Sequence, residues 1–187
     1  MPSAFTHAVV GAAISTLAPR RFRGAKLAIV LAAAAAAPDA DVLAFGFGIP
    51  YAHLLGHRGL THSLPFAFLV AVMLWSWLAR GSLRSRAGGE LFLIIFLGCA
   101  SHGVLDAFTD AGLGVGFFVP FSDARFFFPW RPILTSPLSG REFFSARGVA
   151  ILRNEVEWIW LPIGLMVGAT ALTRRLAQRG VANQRLR

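Results

Sequence analysis

Apolar residues run along this chain in five blocks, at about 4 to 18, 27 to 47, 64 to 79, 91 to 109 and 156 to 173, separated by short polar or basic stretches. Within the blocks apolar positions face all directions, the pattern of helices surrounded by hydrocarbon. The first two blocks are short for that purpose. Residues 4 to 18 give about 22 Å of helix, and Lys26 to Ala37 gives less before Pro38 interrupts, against a hydrocarbon core of about 30 Å. The pattern predicts a short helical hairpin whose polar ends, His7 on one arm and Asp39 and Asp41 on the other, meet below the membrane surface. Residues 112 to 153 fit no block. Seven aromatic residues from Phe117 to Trp130, with prolines at 120, 129, 132 and 137, predict an aromatic lid seated at the interface. The expected fold class is therefore all-α: a polytopic membrane bundle of about five helices, the first two short, folded as one domain over residues 1–187.

Composition agrees with this reading, for 56% of the 187 residues are hydrophobic and only 14% are charged. The net charge of +9 changes it in one respect. The basic residues form no amphipathic or aromatic-interleaved surface, so a nucleic-acid partner is not expected. They sit in loops and tail: Arg20, Arg21, Arg23 and Lys26, then Arg80, Arg84 and Arg86, then the 174–187 tail. That alternation makes these segments cytoplasmic and the tail a basic cytoplasmic one. Every histidine, every aspartate and every glutamate except Glu90 then falls toward the non-cytoplasmic side of a multi-pass protein. Residues 1 to 5 carry no Lys or Arg, so a cleaved signal peptide is not expected. Cys99 is the single cysteine, so any metal must be held by His and carboxylate.

Three constellations carry candidate chemistry. His102 and Asp106 are four residues apart and share a helix face, as two ligands of one ion should; Asp110 extends that face by another turn. The same spacing also describes a buried imidazole bonded to a carboxylate. His57 and His62 flank Arg58 and Gly59 just before the third block, where Thr61 or Ser63 can cap the helix. Arg58 there suits a phosphate ester, which a guanidinium meets bidentately; the alternative is an interfacial Arg reaching toward headgroups. Asp39 and Asp41 straddle Ala40, so one can ligate while the other orients a His or acts as a base, or they cap a new helix. His53 has no comparable partner and reads as interfacial. The metal-ligand set is thus His7, Asp39, His57, His62, His102 and Asp106. Asp41, Arg58 and Asp110 are the catalytic candidates, and Arg125 and Arg131 of the lid are placed to hold an anionic headgroup. Mixed imidazole and carboxylate donors suit one or two Zn²⁺ ions, with Mn²⁺ or Fe as competitors.

The ordered motifs Thr6-His7, Pro38-Asp39-Ala40-Asp41, His57 through Ser63, Ser101-His102 to Asp106, Phe108-Thr109-Asp110, and Pro120 to Pro137 resemble the YdjM-like family of LexA-associated inner-membrane proteins over roughly residues 3 to 165. The resemblance implies a bacterial inner-membrane location and metal-dependent hydrolase activity, without a substrate. A weaker similarity in ligand order, through His102-x-x-x-Asp106, is to the zinc-dependent phospholipase C and P1 nuclease group; that group's downstream His-x-x-x-Glu and N-terminal Trp are missing. The reading that joins these points is a membrane hydrolase acting on a phosphorylated lipid or another phosphoester. A metal-binding or transport protein, and a scaffold whose His and Asp groups satisfy one another, are the alternatives.

Overall fold

The structure is a computed structural model that describes residues 1–137 and 139–185. Leu186 and Arg187, the end of the basic tail, lie outside the described residues. Among the described residues there is no β-strand, only two isolated bridges, and the architecture is the expected helical membrane bundle. Its elements are α1 (Ala4–Ser15), α2 (Ala25–Ala36), a 3-10 stretch (Ala37–Phe47), a 3-10 turn (Leu60–His62), α3 (Leu64–Leu78), α4 (Arg86–Ala107), α5 (Gly140–Phe143), α6 (Ala146–Glu155) and α7 (Leu161–Arg185).

Serine starts four of these helices. Ser3, Ser63, Ser85 and Ser145 each accept a backbone N–H of the first turn, which removes one of the orphan donors every helix start carries. Pro65 follows Ser63 at a position where its missing N–H costs nothing. Pro38 does not end α2 outright but tightens it into 3-10 turns, so the apolar stretch continues through Phe47. Three stretches are thereby long and apolar enough to cross a membrane, Ala25–Phe47, Arg86–Ala107 and Ala146–Arg179, while Ala4–Ser15 and Leu64–Leu78 are shorter. The second block is thus longer than expected, and the third joins the first among the short ones.

The last block differs more. Helix starts at Ala146, ten residues before the apolar pattern, so the final part of the expected lid is helical. The reason is local: Ser145 caps the start, and no proline lies between Pro137 and Pro162 to prevent it. Pro162 has no N–H to give the preceding turn, and the chain answers with a π turn over Val156–Trp160 before α7. Beyond it Leu161, Leu165, Met166, Leu172 and Leu176 are exposed, an apolar face suited to lipid.

Helix α4 is the hub, packing on α1, α2 and α3. Leu27, Leu31, Ala67, Ala71, Leu91, Ile95 and Cys99 bury one apolar core between α2, α3 and α4. Gly11 allows α1 against α2 so closely that a Cβ there would meet the Leu31 carbonyl oxygen at 2.2 Å. The lid proper, residues 112 to 137, is pinned to the same end of the bundle as the histidines. Gly116 N–H donates to Arg58 O, Leu64 N–H to Phe117 O and Phe128 N–H to Ala107 O, while Val115 and Phe126 exchange two backbone bonds. Phe108 and Phe128 stack with centroids 4.3 Å apart.

Candidate metal centre

Three segments converge on one point. Asp39 comes from the 3-10 stretch after α2, His62 from the turn before α3, and His102 and Asp106 from consecutive turns of α4; all four are buried. Gly103 makes the approach possible, since a Cβ there would stand 2.5 Å from the His62 carbonyl oxygen. His62 Nε2 lies 2.8 Å from His102 Nε2, 3.4 Å from Asp106 Oδ2 and 3.7 Å from Asp39 Oδ1. His102 Nε2 lies 3.3 Å from Asp39 Oδ1 and 3.9 Å from Asp106 Oδ2. His7 completes one wall. Its ring stacks on His102 at 3.8 Å between centroids, and its Nε2 is 3.4 Å from Asp106 Oδ1.

The ring nitrogens facing away from this point are already committed. His102 Nδ1 is 2.7 Å from the Ala35 carbonyl oxygen, which can only accept, so Nδ1 carries the proton. His62 Nδ1 faces Asp41 Oδ2 at 3.2 Å. Both rings therefore turn Nε2 lone pairs toward each other at 2.8 Å, an arrangement that requires a proton or a metal cation between or beside them. Burial opposes a charge on His62, but Asp106, Asp39 and Asp41 outweigh it and raise its pKa to about 10.

Seven buried polar side-chain atoms have no hydrogen-bond partner among the described residues: both nitrogens of His7, both oxygens of Asp39, both oxygens of Asp106, and Arg58 Nε. All seven belong to this one cluster. Leaving a buried polar group unmet costs about 1–3 kcal/mol, more if charged, so such a concentration is expensive unless something binds there. Arg58 Nε does stand 3.2 Å from Asp106 Oδ2 as an ion pair, without hydrogen-bond alignment.

Arg58 is wholly buried and adopts a left-handed backbone conformation (φ 61°), unusual for a side chain of its size. Its Nη1 donates to the carbonyls of Ala111 and Leu113 and its Nη2 to Thr109 Oγ1. The guanidinium thus ties the loop after α4 to Asp106. Asp41 sits one step out, its Oδ1 2.6 Å from His57 Nδ1 and its Oδ2 accepting from Thr61 Oγ1 at 2.8 Å. Asp41, His57 and His62 form a second group with ligand-like spacing, sharing His62 with the first.

The expected residues therefore separate. His7, Asp39, His62, His102 and Asp106 come together; His57 and Asp41 stand beside them; Asp110 does not join. Helix α4 ends at Ala107, so its ligand-bearing face stops there, and exposed Asp110 accepts from the N–H and hydroxyl of Thr135 instead. His7 meets Asp106 and not the carboxylates of the α2 arm, because α4 packs against both arms of the first hairpin. Arg125 spends its Nη atoms on the carbonyls of His57, Gly114, Tyr51 and His53, a brace for that loop. Arg131 is exposed and lies 4.7 Å over the Phe127 ring, which Arg58 also approaches at 5.9 Å. His53 is exposed, as expected.

Sequence reasoning missed Glu155. It is fully buried and accepts from the backbone N–H of Ser3, from Ser3 Oγ at 2.6 Å and from Thr6 Oγ1 at 2.6 Å. The one available signal was an acid at the polar edge of the last apolar block, between Asn154 and Val156.

The model of the family described as YdjM inner membrane protein matches residues 1–180. Inner membrane protein YbcI of Escherichia coli (strain K12) is 38% identical over 186 residues, covering 94% of this chain and 100% of that protein. No solved structure matches.

Proposed function

The chain belongs to the YdjM inner membrane protein family, and from that premise we propose that it is a multi-pass, metal-dependent hydrolase acting on a phosphoester of a membrane lipid. The observation that carries the proposal is the convergence of all seven unpartnered buried polar atoms on one cluster of two imidazoles and two carboxylates, with His7 and Arg58 at its rim. Two nitrogen and two oxygen donors suit Zn²⁺, Mn²⁺ or Fe and are wrong for an all-oxygen Ca²⁺ or Mg²⁺ cage. The spacing supports a small ion as well. A tetrahedron with bonds of about 2.0–2.1 Å has edges of about 3.3 Å, and the five edges that involve a histidine are 2.8, 3.3, 3.4, 3.7 and 3.9 Å. We favour one Zn²⁺ at this cluster, with the Asp41, His57 and His62 group as the place for a second ion.

A bound divalent ion supplies Lewis acidity and an acidified water. The protein's own residues do the rest. Asp41 and the Ala35 carbonyl hold His62 and His102 with their Nε2 lone pairs directed inward. Arg58 offsets the charge of Asp106 and fixes the loop against which a substrate would rest. His7 has both ring nitrogens unbonded and is the group left to accept or return a proton during hydrolysis. Asp41 is engaged with three partners, which favours an orienting role over that of base. Arg131, reaching Phe127 and through it Arg58, is the lid cation suited to a headgroup phosphate.

Hydrolysis is favoured over transport by what lies beside the cluster: Leu31, Ile95, Leu91 and Ala71 fill the α2–α3–α4 core, where Cys99 is the single residue of that core able to bind an ion. The charge alternation of the loops supports a cluster that faces the non-cytoplasmic side. The test is turnover of a panel of lipid phosphoesters by purified protein in nanodiscs, with and without chelator. Metal-dependent release of phosphate or headgroup, abolished in His102→Ala, is expected; no turnover of any member by metal-loaded protein rules the hydrolase reading out.

A further inference from the structure

A second buried polar cluster lies where α1 meets the end of α6. Glu155 accepts from Ser3 N–H, Ser3 Oγ and Thr6 Oγ1. Thr6 Oγ1 in turn accepts from Trp160 Nε1 at 2.8 Å, and Ser3 is also the N-cap of α1. The partners are 149 and 152 residues apart in sequence, so these bonds fasten the first helix to the C-terminal end of α6. The π turn at Val156–Trp160 begins one residue after Glu155 and presents Trp160 to Thr6.

Three features make this more than an anchor. Thr6 precedes His7 directly, so the bonds that fix Thr6 fix the backbone from which the His7 ring projects. The ring itself has no hydrogen bond on either nitrogen and is held only by stacking on His102 and by the neighbouring Asp106 oxygen. A carboxylate buried among apolar helices is costly, and apolar side chains of similar volume would hold two helices together as well or better. What an apolar contact cannot supply is a directional lock on one rotation of α1.

We propose that Glu155, through Ser3 and Thr6, is a positioning residue that sets the His7 ring at the edge of the candidate metal centre. The inference rests on the reading of His7 as part of that centre. Glu155 does not touch the cluster and acts only through α1. In Glu155→Ala the lock is lost and α1 is free to rotate about its axis. In Glu155→Gln one acceptor remains and the Ser3 and Thr6 hydroxyls can reorient to meet the new amide, so partial rescue is expected.

The experiment is a ¹⁵N spectrum of histidine-labelled protein in nanodiscs, with the His7 signals identified by their loss in His7→Ala, and with bound metal measured on the same samples. Glu155→Ala and Thr6→Val are expected to shift or broaden the His7 ring nitrogens and Glu155→Gln to do so less, while His53 stays put. Metal release to a chelator should be at least tenfold faster in Glu155→Ala, with no further acceleration when His7→Ala is added. Leu91→Ala, a buried truncation in the apolar core, controls for lost stability: it should lower Tm without moving His7. Unmoved His7 signals in a folded Glu155→Ala, or effects of Glu155→Ala and His7→Ala that simply add, overturn the proposal. Absence of metal from wild type would overturn the proposed function instead, and the nitrogen signals would still decide the role of Glu155.

Discussion

The two buried polar clusters of this bundle are finished in opposite ways. Around Glu155 each carboxylate oxygen is met: one by Ser3 N–H, the other by two hydroxyls, with Trp160 closing the network on Thr6. Around Asp39 and Asp106 none of the four carboxylate oxygens has a hydrogen bond, although Asp106 is fully buried and Asp39 nearly so. A helical bundle able to satisfy one buried acid completely could satisfy another. The difference teaches that the second cluster is arranged for a guest, whereas the first is arranged for the protein itself.

The largest effect should come from removing a ligand that also balances charge. Asp106→Ala takes away one donor and strands buried Arg58, so bound metal should fall to background and stability by about 3–5 kcal/mol, read by elemental analysis and thermal melting in detergent. Arg58→Met tests the same pair from the other side, since it leaves Asp106 uncompensated and frees the 109–113 loop; a stability loss of similar size is expected, with metal affinity reduced but not abolished. Thr6→Val acts on the satisfied cluster, removing an acceptor for Trp160 and a donor to Glu155. It should cost about 1–3 kcal/mol while the metal stoichiometry of the saturated protein stays at the wild-type value.

Acidity separates the clusters in another way. His62 has its pKa raised to about 10 in the metal-free protein, against about 6.5 when unfolded. The stability this contributes is complete below pH 6.5 and is lost as pH rises through about 10. The metal-loaded protein should show the reverse slope at low pH, because protons compete with the ion for the same imidazoles. Melting curves of chelated and loaded protein between pH 5 and 9 should therefore diverge as pH rises, and parallel curves would argue that no ion displaces the His62 proton. The smallest effect belongs to Asp110→Asn, which keeps the acceptor for Thr135; stability should change by no more than about 0.5 kcal/mol and metal content not at all.

Much of the candidate site is legible in the sequence because its ligands announce themselves against apolar neighbours. His102 and Asp106 read as one helix face, and they are one. His62 and Asp39 read as candidates because titratable groups are rare in such segments, although the sequence does not say which of His57 and His62 goes inward. That choice is made by the 3-10 turn at Leu60–His62 and by Asp41, whose carboxylate holds His57 Nδ1 to one side. Asp110 misled because a periodic face says nothing of where its helix ends. Arg125 misled for a related reason: a lid arginine looks free until the backbone carbonyls around it are seen. Glu155 and Ser3 were illegible, since their pairing spans 152 residues and depends on how α1 and α6 dock. The long final helix was half visible, its polar first turns hiding a start that Ser145 sets.

The central claim is that the unpartnered cluster holds a metal ion, and it is tested most directly by the metal content of protein purified in mild detergent, alone and after incubation with Zn²⁺, Mn²⁺ and Fe²⁺, beside His102→Ala and Thr6→Val. The account predicts at least one ion per chain in wild type and in Thr6→Val, and none in His102→Ala. Metal-free wild type that takes up no ion on incubation, or His102→Ala that binds as wild type does, would contradict it.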